Sequence, residues 1–311
     1  MSGDGSNLAP SPHHVRWGEG RGEGQPHTSE QAAAPHPRIK SGAGSSPLVV
    51  PEARLRHDEG GEREYAPSRA GVSVIIPCLD EEDAIGPCVT ALLAYGLGEV
   101  IVVDGRSADR TAERAAAAGA RVVVEPARGY GRAMLAGLAA LSPTCTIVLF
   151  IDGDGSDRPE MVPAVLAPIE QGSADFVLGS RLRGEREPGS LAPAQIVAGH
   201  LAGLLIRLLY GSRFTDMSPF RAIRRDVLER LDMAELTFAW NLEMQMRVAA
   251  VGVRATEVPV GQRRRRGGVS KVSGDWHSAV RAVWVIVAAF CRLAWRLRQR
   301  RRVSLGQAVD R

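Results

Sequence analysis

The segment IVLFIDGDGSDRPE, residues 147–160, decides how this chain is read. Five apolar residues run directly into Asp152, and Asp154 and Asp157 follow with only glycines and a serine between. An apolar run that stops abruptly at turn-forming residues predicts a buried strand ending in a loop. Two carboxylates about 4 Å apart repel by roughly 4 kcal/mol at an effective dielectric near 20. So dense an acidic turn needs a positive partner, and a metal ion is the first candidate. Asp152 and Asp154, one residue apart, can face one hard cation. Their oxygen donors favour Mg²⁺ or Mn²⁺, with phosphate oxygens and water completing the shell.

Outward from this strand the same pattern repeats. VSVIIP (72–77), EVIVVD (99–104), RVVVEP (121–126), TIVLFID (146–152) and DFVLGS (175–180) are short, nearly continuous apolar runs. AIGPCVTALLAYG, GRSADRTAERAAAAGA and ARGYGRAMLAGLAAL, which separate the first four, carry helical patterns. Strict alternation of strand and helix predicts right-handed βαβ units and an α/β fold, Rossmann-like, with a mostly parallel sheet flanked by helices. After residue 160 the pattern loosens. AQIVAGHLAGLLIRLLYG, TDMSPFRAIRRDVLERL and FAWNLEMQMRVAAVG suggest further helices, and ATEVPVGQR a late strand.

In parallel α/β sheets ligands bind beyond the C-terminal ends of the strands. The polar clusters of this chain fall there. The first strand delivers Pro77 and the acids Asp80, Glu81 and Glu82; the second Asp104, Ser107 and Asp109; the third Arg128, Gly129 and Gly131; the fourth Asp152, Asp154 and Asp157. Singly, several of these are equally well explained as helix caps. Four clusters on one sheet edge point to a site. Asp104, at a strand terminus, suits a contact to a base or ribose. An EF-hand is excluded because Asp157 stands where that loop needs glycine, and no P-loop motif occurs.

The chain has 311 residues, room for one large or two ordinary domains, with 44% hydrophobic and 24% charged residues. The net charge of +4 is concentrated in RRRR (263–266) and RLRQRRR (296–302). Such runs are solvated surface, phosphate-binding segments or contacts to an anionic membrane. Residues 1–70 are rich in Gly, Pro, Ser, His and charge and are expected to be a disordered tail. The N-terminus lacks an apolar stretch, so neither a signal peptide nor an N-terminal anchor is expected. Cys78, Cys88, Cys145 and Cys291 show no zinc spacing and read as reduced core thiols of a cytoplasmic protein.

VSVIIPCLDEEDAI, VVDGRSADRTAE, RGYGRAMLAG, FIDGDGSD, FVLGSR, DMSPFRAIRR and RRGGVSK occur in this order. Across roughly residues 71–274 they resemble family 2 glycosyltransferases of the GT-A fold, most of all the dolichyl-phosphate mannose and glucose synthase group. The resemblance implies a nucleotide-sugar donor of the GDP-mannose or UDP-glucose type, a D-x-D metal and inversion at the anomeric carbon. It places Pro77, Asp80, Glu82 and Arg128 around the nucleotide sugar, Asp104 at the base or ribose, and the metal on Asp152 and Asp154, chiefly Asp154. It puts Arg181 near the phosphates or acceptor, Asp216 and Arg221 on the acceptor side, and Arg265, Ser270 and Lys271 on the departing diphosphate. Two departures stand out. Asp80-Glu81-Glu82 replaces the usual Asn-Glu-Glu, and Ser156 replaces a glutamine often used as an extra metal ligand, leaving water or Asp157 for that role.

A diphosphate leaving group gathers negative charge as its bond breaks, and a cation with Arg265 and Lys271 would stabilise it. An extended 263–266 segment would turn Arg263 and Arg265 to one side. A polyprenyl-phosphate acceptor arrives largely ionised at neutral pH. A soluble or glycan hydroxyl would need a carboxylate base, for which Asp216 and Glu243 are the candidates. Residues 275–311, with Trp276, Trp284, Trp295 and a basic end, suit an amphipathic helix at the cytoplasmic face of a membrane, or else a core-packing helix. The apolar run 282–291 is far shorter than the ~20 residues needed to cross a bilayer. A sugar-phosphate nucleotidyltransferase would want a Gly-rich basic loop where CLDEEDAIG stands. A nucleic-acid-binding module would want a continuous basic face, and here the acidic edge would repel a polyanion.

Overall fold

The structure, a computed structural model, describes residues 69–266, 284 and 286–299. Its elements in chain order are β1 (Arg69–Cys78), α1 (Glu82–Leu93), β2 (Leu97–Asp104), α2 (Thr111–Ala117), β3 (Arg121–Val124), α3 (Tyr130–Ala139) and β4 (Ile147–Phe150). A 3-10 turn (Pro159–Met161) then leads into α4 (Val162–Glu170), β5 (Phe176–Ser180), α5 (Pro193–Tyr210), β6 (Arg221–Arg224), α6 (Arg225–Leu231), α7 (Trp240–Val251) and β7 (Ala255–Pro259). Residues 286–299 form a C-terminal helix.

Among the described residues the seven strands make one sheet in the order β3-β2-β1-β4-β6-β5-β7. The β1–β2, β1–β4, β2–β3 and β5–β7 pairs are parallel, as the alternating pattern requires. Strand residues alternate between two cores. Ile75, Ile101, Val103, Val148 and Phe150 face α3, α5, α6, α7 and the C-terminal helix. Val74, Ile76, Val100, Val102 and Leu149 face α1, α2 and α4. Burial on both faces is why the central strands read as continuous apolar runs.

One expected element differs. TDMSPFRAIRRDVLERL does not form a single helix: its middle is β6, antiparallel to both β4 and β5. Pro219 disfavours helical backbone at Ser218, and pairing with β4 and β5 holds Arg221–Arg224 extended, so the helix starts only at Arg225. The antiparallel direction brings the start of β6 to the sheet edge where β4 ends, with Arg221 opposite Phe150. Of the four thiols expected in the core, Cys78, Cys88 and Cys145 are buried and Cys291 is exposed. On the C-terminal helix Phe290 and Leu293 face inward, which turns Cys291 to solvent.

Candidate active site

The acidic turn after β4 is tied by its own side chains. The amide of Asp152 donates to Asp157 Oδ2 (2.9 Å), and the amide and hydroxyl of Ser156 donate to Asp154 Oδ1 (2.9 and 2.6 Å). Gly153 is required because a Cβ there would collide with Cys78 Sγ, and Gly155 takes φ +75°, which suits glycine. Burial, then the charges of Asp157 and Asp154, push the Asp152 carboxyl well up. Burial, with Asp154 adding repulsion, pushes Asp157 up to about 7. Asp157 Oδ1 is buried with no hydrogen-bond partner among the described residues. Crowded hard-oxygen donors carrying excess negative charge are what a divalent cation relieves, so the residues present fit one. Among the described residues no group of three or more acids, histidines or cysteines forms a complete metal cage. A cation on Asp152 and Asp154 would therefore draw the rest of its shell from phosphate oxygens and water.

The arginine run lies along this turn. Arg263 N donates to Ser156 O (2.9 Å) and Arg266 N to Asp154 O (3.2 Å), so its backbone is pinned there. Arg265 turns inward and donates from Nε to Asp154 Oδ2 (2.8 Å), with Nη2 reaching Glu81 Oε1 (3.1 Å). Arg263 also leans in, to Glu160 at 2.6 Å, while Arg264 and Arg266 are exposed. Glu81 was not singled out from the three neighbouring acids, yet it is the buried one of the three. Ser270 and Lys271 lie outside the described residues.

Arg181 follows β5 and pairs with Asp216 across two bonds, Nε to Oδ2 and Nη2 to Oδ1, both 2.8 Å. The Arg181 and Met217 amides also donate to Asp216. Burial raises the Asp216 pKa, but the Arg181 bonds and charge outweigh it and hold the carboxyl below its usual value. Arg221 is fully buried, donating Nη1 to Asn241 O (3.0 Å) and Nη2 to Ser218 O, and burial lowers its pKa to about 10. Glu243 is buried and accepts from the amides of Ala234 and Glu235 and from the Arg247 guanidinium. It braces the loop between α6 and α7.

Asp80, Glu82 and Asp104 interlock the first two strand-end loops. Asp80, at φ 56°, accepts from Ala108 N (2.8 Å), and its own amide donates to Ser107 Oγ (2.9 Å). Glu82 accepts from Arg110 N and its amide donates to Asp109. Buried Asp104 accepts from the amide and hydroxyl of Ser107. Pro77 is half-buried in β1, and Arg128 is exposed beyond β3.

Tyr130 is a residue that the sequence reading passed over. Its hydroxyl donates to Asp152 Oδ1 at 3.4 Å, and its ring stacks on Phe238 with centroids 5.8 Å apart. The flanking glycines admit the 235–238 loop, since a Cβ on Gly131 would collide with Glu235 O. Glu235 in turn is buried and held by Arg292 (3.0 Å) and Arg296 (3.6 Å) of the C-terminal helix. In RGYG the arginine and the glycines carry the sequence reading; the aromatic between the glycines is the signal for Tyr130.

Residues 73–232 match the family profile described as Glycosyl transferase family 2. An uncharacterized glycosyltransferase of Mycobacterium tuberculosis is 36% identical over 222 residues, spanning 70% of this chain and 98% of that protein. The undecaprenyl-phosphate mannosyltransferase of Micrococcus luteus is 31% identical over 65% of this chain and 88% of that protein. Among solved structures, glucosyl-3-phosphoglycerate synthase from Mycobacterium tuberculosis in complex with Mn²⁺, UDP-glucose and phosphoglyceric acid superposes with a TM-score of 0.60. The identity is 25%, over 76% of this chain and 85% of that one.

Proposed function

This chain belongs to glycosyl transferase family 2 and is a glycosyltransferase of the GT-A fold, and from that premise we propose that it moves a hexose from a nucleotide-diphosphate sugar to a polyprenyl phosphate, with inversion. The observation that carries the acceptor assignment is the bidentate Arg181–Asp216 pair. A hydroxyl acceptor needs a carboxylate that can take its proton. Asp216 is held ionised by Arg181 and is a weak base. Glu243 has its oxygens engaged by two amides and Arg247. A phosphate monoester, with a second pKa near 6, brings its own negative charge and needs no base. The lipid-phosphate relative supports the same reading.

In this mechanism an acceptor phosphate oxygen bonds to the anomeric carbon as the bond to the donor diphosphate breaks. The electron pair leaves on the diphosphate oxygen. Asp152 and Asp154 would hold Mg²⁺ or Mn²⁺, and the ion would supply positive charge against the leaving diphosphate. Arg265, now on Asp154 and Glu81, is placed to exchange those partners for diphosphate oxygens. Tyr130 orients Asp152 through its hydroxyl. Asp80, Glu82 and Asp104 shape the nucleotide end, with Pro77 and Arg128 bordering it, while Arg181, Asp216 and buried Arg221 form the wall on the acceptor side. Ser270 and Lys271 are assigned to the diphosphate by resemblance alone.

The buried thiols Cys78, Cys88 and Cys145 support a reducing, cytoplasmic setting. The exposed Trp284 and Trp295, on a helical segment carrying Arg292 and Arg296, support peripheral attachment at a membrane surface. The test is a transfer assay with purified full-length protein and Mn²⁺ or Mg²⁺. UDP-, GDP- and dTDP-sugars are presented with polyprenyl phosphate, with phosphoglyceric acid, and with neither. Glycosyl transfer to the lipid phosphate is expected. Transfer to phosphoglyceric acid alone would overturn the acceptor assignment and leave the family intact.

A further inference from the structure

Helix α5 divides its surface unusually. Its inner face, Ala194, Ala198, Gly199, Ala202, Gly203 and Ile206, is buried. At Gly203 a Cβ would collide with Phe214 O, and at Gly199 it would sit 3.5 Å from Asp216 Oδ1. The helix thus rides directly on the segment that carries Asp216. Its outer face is apolar as well. Val197, Leu204 and Leu208 are 50%, 51% and 74% exposed, and Leu201 between them is half-buried. These four recur at i, i+4, i+7 and i+11, a single stripe along the helix.

The 18 residues have a mean hydropathy of 1.3, yet only 33% of them are buried. A core helix this apolar would be mostly covered, and an exposed stripe of this kind marks an interaction surface. The helix does not cross a bilayer, because its inner face is fastened to the folded unit through Gly199 and Gly203. It can lie in the plane of one. Charge selects the occupant. Pro193–Tyr210 contains no acidic residue, and Arg207 and Arg213 are exposed at its C-terminal end. A second copy would bring only more cations to this face, whereas anionic headgroups supply the missing charge.

We propose that the outer face of α5 inserts into the headgroup boundary of an anionic bilayer, with Arg207 and Arg213 on lipid phosphates, and seats the Asp216 side of the active site at the membrane surface. This names the surface on which the proposed lipid-phosphate acceptor is met, and for its purpose it rests on that reading. Its test does not. Full-length protein is floated with phosphatidylcholine vesicles with and without phosphatidylglycerol, beside the double variant Leu204→Glu/Leu208→Glu and the variant Arg207→Glu/Arg213→Glu.

Replacing two inserted leucines should lower partitioning by about tenfold or more, and charge reversal should remove the dependence on phosphatidylglycerol. Far-UV circular dichroism and melting temperature should hold, since these side chains face solvent. Unchanged partitioning of the leucine variant would overturn the proposal. So would sedimentation showing a wild-type dimer that this variant splits, because a second copy would then cover the stripe. If the variant loses vesicle binding and the wild type glycosylates no polyprenyl phosphate, the docking surface stands and the acceptor assignment falls.

Discussion

Asp216→Asn isolates the bond on which the acceptor assignment turns. The substitution keeps the shape of the side chain and its position under α5, but it removes the charge that Arg181 holds at 2.8 Å through two bonds. The side chains are 10% and 1% exposed, so little water can replace the lost partner. Breaking one half of a buried pair costs about 3–5 kcal/mol. Asp157 and Asp152 also draw on the Arg181 charge, which sets the expectation at the low end, about 3 kcal/mol. At roughly 2–4 °C per kcal/mol for a folded unit of this size, the melting temperature should fall by about 6–12 °C. The pH dependence has a definite sign. Arg181 depresses the folded-state pKa of Asp216, so its contribution is complete above the unfolded value of 3.8 and is lost as pH falls through the lower folded value. Melting curves of wild type and variant should therefore diverge above about pH 4 and converge in stronger acid. Adding Arg181→Met to the Asp216→Asn variant should recover part of the loss, as removal of both partners leaves no stranded charge. A shift under about 2 °C at neutral pH would refute the claim that this pair is buried and intact.

Other outcomes follow from the acidic turn. Asp154→Ala should cut glycosyl transfer by more than about 100-fold, the scale of a lost electrostatic contact in a transition state. Its melting temperature should move by no more than about 4 °C, because relief of repulsion with its neighbours offsets the lost bonds to Ser156 and Arg265; retained transfer would remove Asp154 from the metal site. Tyr130→Phe keeps the stack on Phe238 and loses the hydroxyl's bonds to Asp152 and Asn241, so kcat should drop by about tenfold with fold and donor KM little changed; an unchanged kcat would show that Asp152 needs no orienting hydroxyl. Arg265→Ala should raise the dissociation constant for the nucleoside diphosphate by about tenfold or more in titration calorimetry, in line with one lost charge-assisted contact; equal affinity would leave Arg265 as a partner of Asp154 and Glu81 alone.

Residue order by itself determined a good deal here. The alternation of short apolar runs with Ala- and Leu-rich helical patterns identified β1 to β5 and the late strand β7, most clearly at the central strands β1, β2 and β4, where burial on both sheet faces leaves a local signature. Seven motifs in series identified the family. The rule that ligands gather beyond strand ends picked out the acidic turn after β4, and the density of charge at 263–266 marked its cationic counterpart. Strand β6 escaped because four residues flanked by a proline and a helix carry too little periodicity to be told from the helix that follows. Its existence depends on two neighbours, β4 and β5, that hold it from either side.

Tertiary structure alone decided which charges meet. Arg181 finds Asp216 across 35 positions, and Arg265 finds Asp154 across 111. It turned Glu81 inward while Asp80 and Glu82 tie loops together, and it brought Phe238 onto Tyr130 beside Asp152. Backbone periodicity and turn chemistry are written within a few residues of each other, whereas a charge pair is fixed by where packed elements leave its ends. That last geometry, a property of the whole core, separates a bound carboxylate from a free base.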